Sequence, residues 1–433
     1  MTEADTTASG KGADQRPDFA SGAKRGPLPA GVLAVIGTVA VSTIGALAMA
    51  TALGKLVYDI TGRALDLGLI GLAEFLPTAI LAPLVGPMAD RYDRRKVVAA
   101  GLLGEAACAM GMALYAASGP TRVWPVFLLI AGYGTARAAV APALRSLPAD
   151  LAGAQLARVI PLNSAAWQLA VIVGPVLAGF LYLGGPAWPF VFGTASLLIA
   201  MVAVLQVPDV RHTSGQRAAG ETSSNGPLHE ALEGLRFVRR TPILLGAISL
   251  DLFAVLFGGA VALLPAIAET RLGVGSVGLG WLRASCGIGA GSTTLLLAWR
   301  PLSRGVGRAL MLAVAIFGIF TVLLAFTTNF AVAFIALAVL SSADAISVFV
   351  RGTLVPLATP AIMRGRVSAT ENVFIGASNE LGAFESGLAG HLFGVVGAVA
   401  LGGVATLVIV GVWWWCFPAL RKVDRFEEVM KPA

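Results

Sequence analysis

Charge is what this sequence has least of. Asp, Glu, Lys and Arg together make up 13% of its 433 residues, against 57% hydrophobic. A soluble domain carries about a quarter charged, so this composition excludes an ordinary water-soluble fold. Cysteine and histidine are scarce as well, with three of each. Cys108, Cys286 and Cys416 all fall in apolar runs without CxxC spacing, which argues against a disulfide framework or a zinc site. His212, His229 and His391 are scattered, so no hydrolase or metalloenzyme constellation can be assembled. No enzymatic activity, metal or organic cofactor is expected. A GxxxxGK[ST] loop is absent, which disfavours ATP-driven work. The net charge of +7 invites a nucleic-acid reading. Its basic residues, however, sit in short clusters between apolar runs, not in a stripe with interleaved aromatics, so nucleic acid is not an expected partner.

What is abundant is long apolar sequence. A bilayer core needs about 20 apolar residues per helix. Twelve such runs appear, at roughly 31–55, 67–89, 97–118, 123–145, 160–183, 188–206, 243–265, 276–299, 307–327, 330–354, 367–391 and 394–417. The predicted fold class is an all-α membrane protein of twelve transmembrane helices in two pseudo-symmetric six-helix bundles, residues 30–206 and 243–418. Residues 1–29 read as a disordered cytoplasmic tail and 419–433 as a second one. The tripeptide Ala-x-Ala within "ALAMA", residues 46–50, resembles a signal-peptidase site. The preceding segment is too long and contains acids, and the apolar run continues past it, so cleavage there is not expected. The linker 207–242 is the only long polar interior segment. Its stretch "PLHEALEGLRFVRR" has the pattern of a short helix lying on the membrane surface.

The basic residues orient the chain. On this layout 25 of the 31 Lys and Arg fall on one side, four (Lys55, Arg63, Arg122 and Arg271) on the other, and Arg137 and Arg283 lie within spans. That bias predicts both termini in the cytoplasm. A shift of 208 residues superposes Pro148, Arg158, Gly174 and Gly179 on Pro356, Arg366, Gly382 and Gly387. Together with the six-plus-six layout, this points to two parallel repeats around a central site.

After the second run comes "GPMADRYDRRK", residues 86–96. It resembles the signature loop of the major facilitator superfamily, G-x-x-x-D-R-x-G-R-R, with Gly86, Asp90, Arg91, Arg94 and Arg95 in place and Asp93 where the second glycine usually stands. An acid ending a helix beside basic residues can hold an arginine or face a neighbouring helix N-terminus. The matching loop of the second half, "RPLSRGVGR", keeps Arg304, Gly307 and Arg308 but has no acid. In run five, "AVIVGPVLAG" resembles the Gly-Pro motif of drug and proton antiporters, with Gly174, Pro175 and Gly179 matching and Val171 replacing an upstream glycine. The stretches "ALRSLPADLAGAQLARVIPLNSAAWQLAVIVGP", "LDLFAVLFGGAVALLP" and "MRGRVSATENVFIGASNELGAFESG" are similar to bacterial members near the enterobactin-type siderophore exporters. This resemblance covers nearly all of residues 30–417. It implies the major facilitator fold and export by proton exchange, and leaves the cargo open.

Charged residues inside the runs are costly at bilayer depth and rarely face lipid. The sequence keeps a set of them, Glu74, Glu105, Arg137, Asp251, Arg283, Asp344, Glu380 and Glu385. The 208-residue shift brings Glu74 beside Arg283 and Arg137 beside Asp344, so cross-bundle pairs are one expectation, Arg137–Asp344 the better of them; separate local partners or water are the alternative. Glu380 and Glu385 point about 140° apart on a helix and cannot form one dyad. Glu371, Ser378 and Glu385 share a stripe, while Glu380 shares a face with Gly376 and Gly387, where another helix can approach. A carboxylate out of water holds its proton more tightly, which makes Asp251, Glu380, Glu385 and Glu74 the proton-coupling candidates. Glu105, on a span usually peripheral in this fold, is expected only to bond to neighbouring helices. Asn163, Trp167, Gln168 and Asn379 are the candidate substrate contacts.

The reading is a monomeric secondary transporter that moves a small organic compound through the lipid bilayer by rocking of two halves, with the proton as coupling ion and export as the direction. The rivals are a proton-coupled importer or uniporter of a nutrient, a membrane enzyme, for which no clustered site is present, and a transporter-like sensor or scaffold without flux.

Overall fold

The computed structural model describes residues 30–91, 93–152, 155–207 and 227–430. The first half is built from α1 (Ala30–Thr61), α2 (Ala64–Arg91), α3 (Arg94–Ala117), α4 (Trp124–Ala152), α5 (Leu156–Leu183) and α6 (Trp188–Leu205). Then follow α7 (Pro227–Arg240), α8 (Pro242–Phe257), α9 (Leu264–Thr270), α10 (Ser276–Trp299), α11 (Val306–Phe326), α12 (Phe330–Ala358), α13 (Arg364–Cys416) and the short α14 (Pro418–Lys422). The expected tail over 1–29 and the first part of the linker lie outside the described residues. The helix expected over "PLHEALEGLRFVRR" is α7.

Backbone polar groups in a bilayer must be satisfied internally, and helices do this without partners. Among the described residues, nine helices are long and apolar enough to cross a membrane by length and composition. The last of these holds two spans, because Gly394 adopts φ +74° and kinks α13 there. α4, apolar over Trp124–Val140, and the glycine-rich α10, which carries Arg283, complete the predicted twelve.

Span seven departs from expectation. It is not one helix but α8, a single 3-10 turn at Gly259–Val261, and α9. The break falls at Gly258 and Gly259, where α13 comes so close that a Cβ on Gly259 would lie 2.6 Å from the Gly382 carbonyl oxygen. Irregular backbone at membrane depth is tolerated where it is enclosed by protein or lines a cavity, and residues 258–262 do line one.

The internal repeat has a structural counterpart. Within each half, Gly174 packs α5 against Ile44 and Leu47 of α1, and its equivalent Gly382 packs α13 against Val255 and Leu256 of α8. Five residues on, the second glycine of each pair faces the opposite half. A Cβ on Gly179 would lie 2.7 Å from the Ser276 oxygen of α10, and one on Gly387 would lie 2.7 Å from the Cα of Gly68 on α2. Small residues let helix backbones approach closely where lipid provides no hydrophobic drive. The two seams between the halves are therefore α5–α10 and α2–α13.

Both seams are tight at the end bearing the α1–α2 and α5–α6 turns, here called the hairpin side, and looser toward the end bearing the linker. Along α2–α13 the approach runs from Gly390 on Ala64 (2.8 Å for a Cβ) to Gly376 and Phe75 (3.6 Å). Along α5–α10 it runs from Ser276 through Gly280 and Gly287 to Gly291; beyond that Leu295 and Trp299 are exposed.

Residues 419–430, expected as part of a cytoplasmic tail, fold back on the second half. The Asp424 carboxylate accepts from the Gly305 backbone N–H at 2.9 Å, and the Val423 carbonyl accepts from Gly307 at 3.0 Å. Phe426 packs edge-on to Phe349 of α12. Gly305 itself takes φ +68°, a left-handed conformation that glycine accepts without Cβ strain. The loop 300–308 lacks an acid of its own, and the C-terminal segment supplies one to the start of α11.

Candidate translocation site

α2 and α4 lie side by side, and each contributes one charged residue near its middle. Glu74 and Arg137 form an ion pair at 3.7 Å, with side chains 38% and 46% exposed. That exposure is to a cavity of about 260 Å³ in the first half, lined by Glu74, Arg137, Glu105, Tyr133 and Trp167 among apolar side chains of α1, α3, α4 and α6. Pairing within one half overturns both cross-bundle pairings. Arg137 does not meet Asp344, and Glu74 does not meet Arg283. The reason is proximity: α2 and α4 are packed neighbours, whereas equivalent depth in two halves does not by itself bring side chains into reach.

Glu105 also differs from expectation. α3 packs against α4 and α6, yet Glu105 turns inward to the cavity wall. Its Oε1 and the Tyr133 hydroxyl are buried without a hydrogen-bond partner. Tyr133 was not among the sequence candidates, and its place in an apolar run offered no signal beyond the i, i+4 spacing to Arg137.

The second half organises its charges in the opposite way. Asp251 of α8 pairs with Arg351 of α12 at 2.9 Å, and Arg351 reaches Glu371 of α13 at 3.3 Å. The Ser347 hydroxyl donates to Asp251 at 3.3 Å. Arg351 and Asp251 side chains are only 5% and 7% exposed. Arg351 lies just inside the predicted tenth run and was counted there with the flanking loop. Its position in "VFVRGTLVP" was the available signal. Nearby, Asp344 lines a cavity of about 230 Å³ with Ser341, Asn379 and the broken backbone of Gly258 and Gly259.

Glu380 lies on the face of α13 that meets α2. A Cβ on Gly71 would meet its Oε2, so the carboxylate occupies the space that this glycine leaves open. No ion pair or hydrogen bond of Glu380 is present among the described residues. Glu385 is half-buried and accepts a long 3.5 Å hydrogen bond from Ser386.

The candidate substrate contacts divide. Trp167 is 53% exposed at the first cavity, and Asn379 is exposed at the second. Asn163 has a buried Oδ1 with no partner. Gln168 instead ties the halves together: its amide donates to the Gly287 carbonyl of α10 at 2.6 Å. Pro175 and Gly179 serve the same seam. The Pro175 carbonyl faces Gly280, and the Ser276 hydroxyl donates to the Gly179 carbonyl at 3.0 Å.

On the hairpin side the halves are also joined by charge. Lys55 of α1 pairs with Asp59 on its own helix and with Glu269 of α9 at 2.8 Å, and Tyr182 of α5 donates to Asp59 at 2.7 Å. Sequence reasoning placed Lys55 at this end of the bundle but did not find the bridge to Glu269, which lies 214 residues away.

Of the signature loop, the side chains of Gly86, Asp90, Arg91 and Arg94 lie outside the described residues. Asp93 and Arg95 are described. Asp93 caps α3, accepting from the Arg95 backbone N–H at 3.0 Å and from its guanidinium at 3.1 and 2.8 Å. The hydrogen bonds from Arg95 hold the Asp93 carboxyl below the usual carboxylate range. Arg95 also donates to the Val207 carbonyl at 2.6 Å, linking α3 to the end of α6. The residue that departs from the family pattern is thus a helix cap.

Twelve spans in two halves, seams of glycine, and charged cavities between tight and loose ends have a counterpart among known proteins. The sequence profile of the Major Facilitator Superfamily matches residues 28–304. The chain belongs to that superfamily. This facilitator is 26% identical over 339 residues to the enterobactin exporter EntS of Citrobacter koseri, covering 75% of this chain and 77% of the relative. It is 24% identical over 331 residues to the enterobactin exporter EntS of Escherichia coli O1:K1 / APEC, with 75% and 76% covered. Among solved structures it resembles a bacterial homologue of the human lysosomal transporter Spinster, inward-facing and unoccupied (TM-score 0.68, 15% identity, 94% of this chain and 100% of that one). It also resembles a D-xylose–proton symporter (TM-score 0.66, 14% identity, 90% and 98%). At those identities the structures speak to the fold alone. The chain is a multi-pass membrane transporter of a small molecule, not an enzyme.

Proposed function

We propose that this facilitator exports a small organic compound in exchange for protons, by alternating access in a bacterial inner membrane with both termini cytoplasmic. The observation that carries the reading is Glu380, a half-buried acid without a cation that lies between the halves at the α2–α13 seam against Gly71. An isolated carboxylate is strongly disfavoured in such a place, while the neutral acid is tolerated. A proton taken up from the hairpin side neutralises Glu380 and allows the seam there to close over it, and access from the looser linker side lets that proton leave inward. Inward proton movement supplies about 2.3 kcal/mol per 100 mV per charge. The lysine and arginine bias supports the orientation, which makes the looser linker side the cytoplasmic mouth. Similarity to enterobactin exporters and the Gly-Pro motif of α5 support the outward direction. Asp251, bound to Arg351, is a bracing group in this reading and not a carrier.

Inverted membrane vesicles from a strain without its own siderophore exporters test this, with enterobactin as probe cargo. Energised vesicles carrying the protein are expected to accumulate the probe, to lose it on adding a protonophore, and to be reduced at least tenfold by Glu380→Gln. Accumulation untouched by the protonophore, or by Glu380→Gln across pH, overturns the coupling. Absence of any accumulation overturns export of this class of cargo.

A further inference from the structure

Three cations in the spans are each answered by an acid: Arg137 by Glu74, Arg351 by Asp251 and Glu371, Lys55 by Asp59 and Glu269. Arg283 of α10 is not. It is half-buried, its Nε is enclosed without a hydrogen-bond partner, and no acid pairs with it among the described residues. Its ionisable neighbour is the Cys286 thiol, one turn along the same helix. A guanidinium cannot escape the cost of this position by losing its proton, and an unpaired charge at such depth costs several kcal/mol. A negatively charged ligand would satisfy it.

Its location says what kind of visitor. Arg283 sits on the side of α10 that looks toward α1, with its guanidinium beside Gly54, where an added Cβ would lie 3.7 Å from Nη2. Gly54 is one residue from Lys55, whose bridge to Glu269 joins the halves on the hairpin side. Arg283 therefore lies directly beneath that closure, at the contact that must part when the hairpin side opens. Arg137 cannot substitute for it, because Glu74 already neutralises Arg137 and Glu105 adds a second carboxylate to the same cavity.

We propose that Arg283 is an anion-binding subsite that takes the negatively charged oxygens of an organic anion as it passes between the halves. Separation of α1 from α10 then hydrates both partners and releases the anion on the hairpin side. This rests on the transport reading for its purpose but is tested by equilibrium binding, without any gradient.

The test uses the purified full-length protein in detergent, with carboxyfluorescein as anionic probe and rhodamine 123 as a cationic probe of similar size, followed by fluorescence anisotropy. Wild type is expected to bind carboxyfluorescein. Arg283→Gln should weaken that binding roughly ten- to hundredfold, the range of one charged hydrogen-bonded contact. Arg283→Lys should fall between, because an ammonium keeps the charge without the fork. Rhodamine 123 affinity should be unchanged or tighter in Arg283→Gln. The melting temperature of Arg283→Gln should equal or exceed that of wild type, since an unpaired charge is removed. The proposal is overturned if wild type does not bind the anion, if Arg283→Gln binds it equally, or if that variant melts several degrees lower, which would reveal a structural partner. Loss of anion binding in Arg283→Gln together with no proton-driven flux of any cargo would leave the subsite standing and remove the export reading alone.

Discussion

The two halves share a fold and a repeated pattern of glycines, yet their ion-paired clusters differ. In the first half, Glu74 and Arg137 are loosely paired and open to a cavity, with Glu105 and Tyr133 unsatisfied behind them. In the second half, Asp251, Arg351 and Glu371 form a sealed knot joining α8, α12 and α13. Loose, wet charges can change partners during a cycle, whereas sealed ones hold helices together. The sealed cluster braces α8, α12 and α13 against one another, whereas the first-half pair borders a cavity.

The largest expected effect breaks that contrast directly. Arg351→Ala leaves two enclosed acids without a cation and is expected to destabilise the protein by about 3–5 kcal/mol. Arg137→Ala, at an exposed pair, should cost about 1 kcal/mol or less. Thermal unfolding of the two purified variants checks this, and equal losses would erase the distinction between the halves.

An intermediate effect is expected at the seam between them. Gly387→Ala places a methyl 2.7 Å from the Gly68 Cα, a clash with backbone that costs about 1–3 kcal/mol. The hairpin side should therefore open several-fold more often. Lys55→Gln, which removes the bridge to Glu269, should act in the same direction and more weakly. Labelling of a cysteine introduced beneath the closure measures both; unchanged labelling in Gly387→Ala would show that the seam is not the moving part.

The smallest effects compare the two equivalent loops. Asp93 caps α3 from within its loop, and Asp424 reaches α11 from the C-terminal segment. Each Ala substitution should cost about 1 kcal/mol. Because Arg95 holds Asp93 below its ordinary range, the Asp93 contribution should be complete above the unfolded carboxyl value of about 3.9 and fade as pH falls through the lower folded value. Melting of wild type and Asp93→Ala should accordingly converge on acidification; a gap that widens in acid would contradict the cap.

Particular residues show where reading the sequence stopped. Gly174, Gly179, Gly382 and Gly387 were legible as a repeat, because close helix approach demands small side chains at fixed intervals and hydropathy does not obscure them. Arg351 escaped because a charge near a span boundary looks like a loop residue until the helix is seen to continue. The break at Gly258 and Gly259 escaped because an apolar run reads as helix whatever its backbone does. Asp93 looked like a flaw in a motif, and only the hydrogen bonds from Arg95 revealed it as a cap.

By itself the sequence determined the number of spans, the division into halves, the superfamily, and the fact that acids and bases are submerged. All of these follow from the energetics of a chain in lipid, which act residue by residue along the polymer. Only the tertiary structure decided which charge meets which, that Gln168 joins the halves, and that Arg283 is left unanswered. Those outcomes depend on the rotation and crossing of packed helices, where a shift of one residue turns a side chain by about 100° and hydropathy is indifferent to the result.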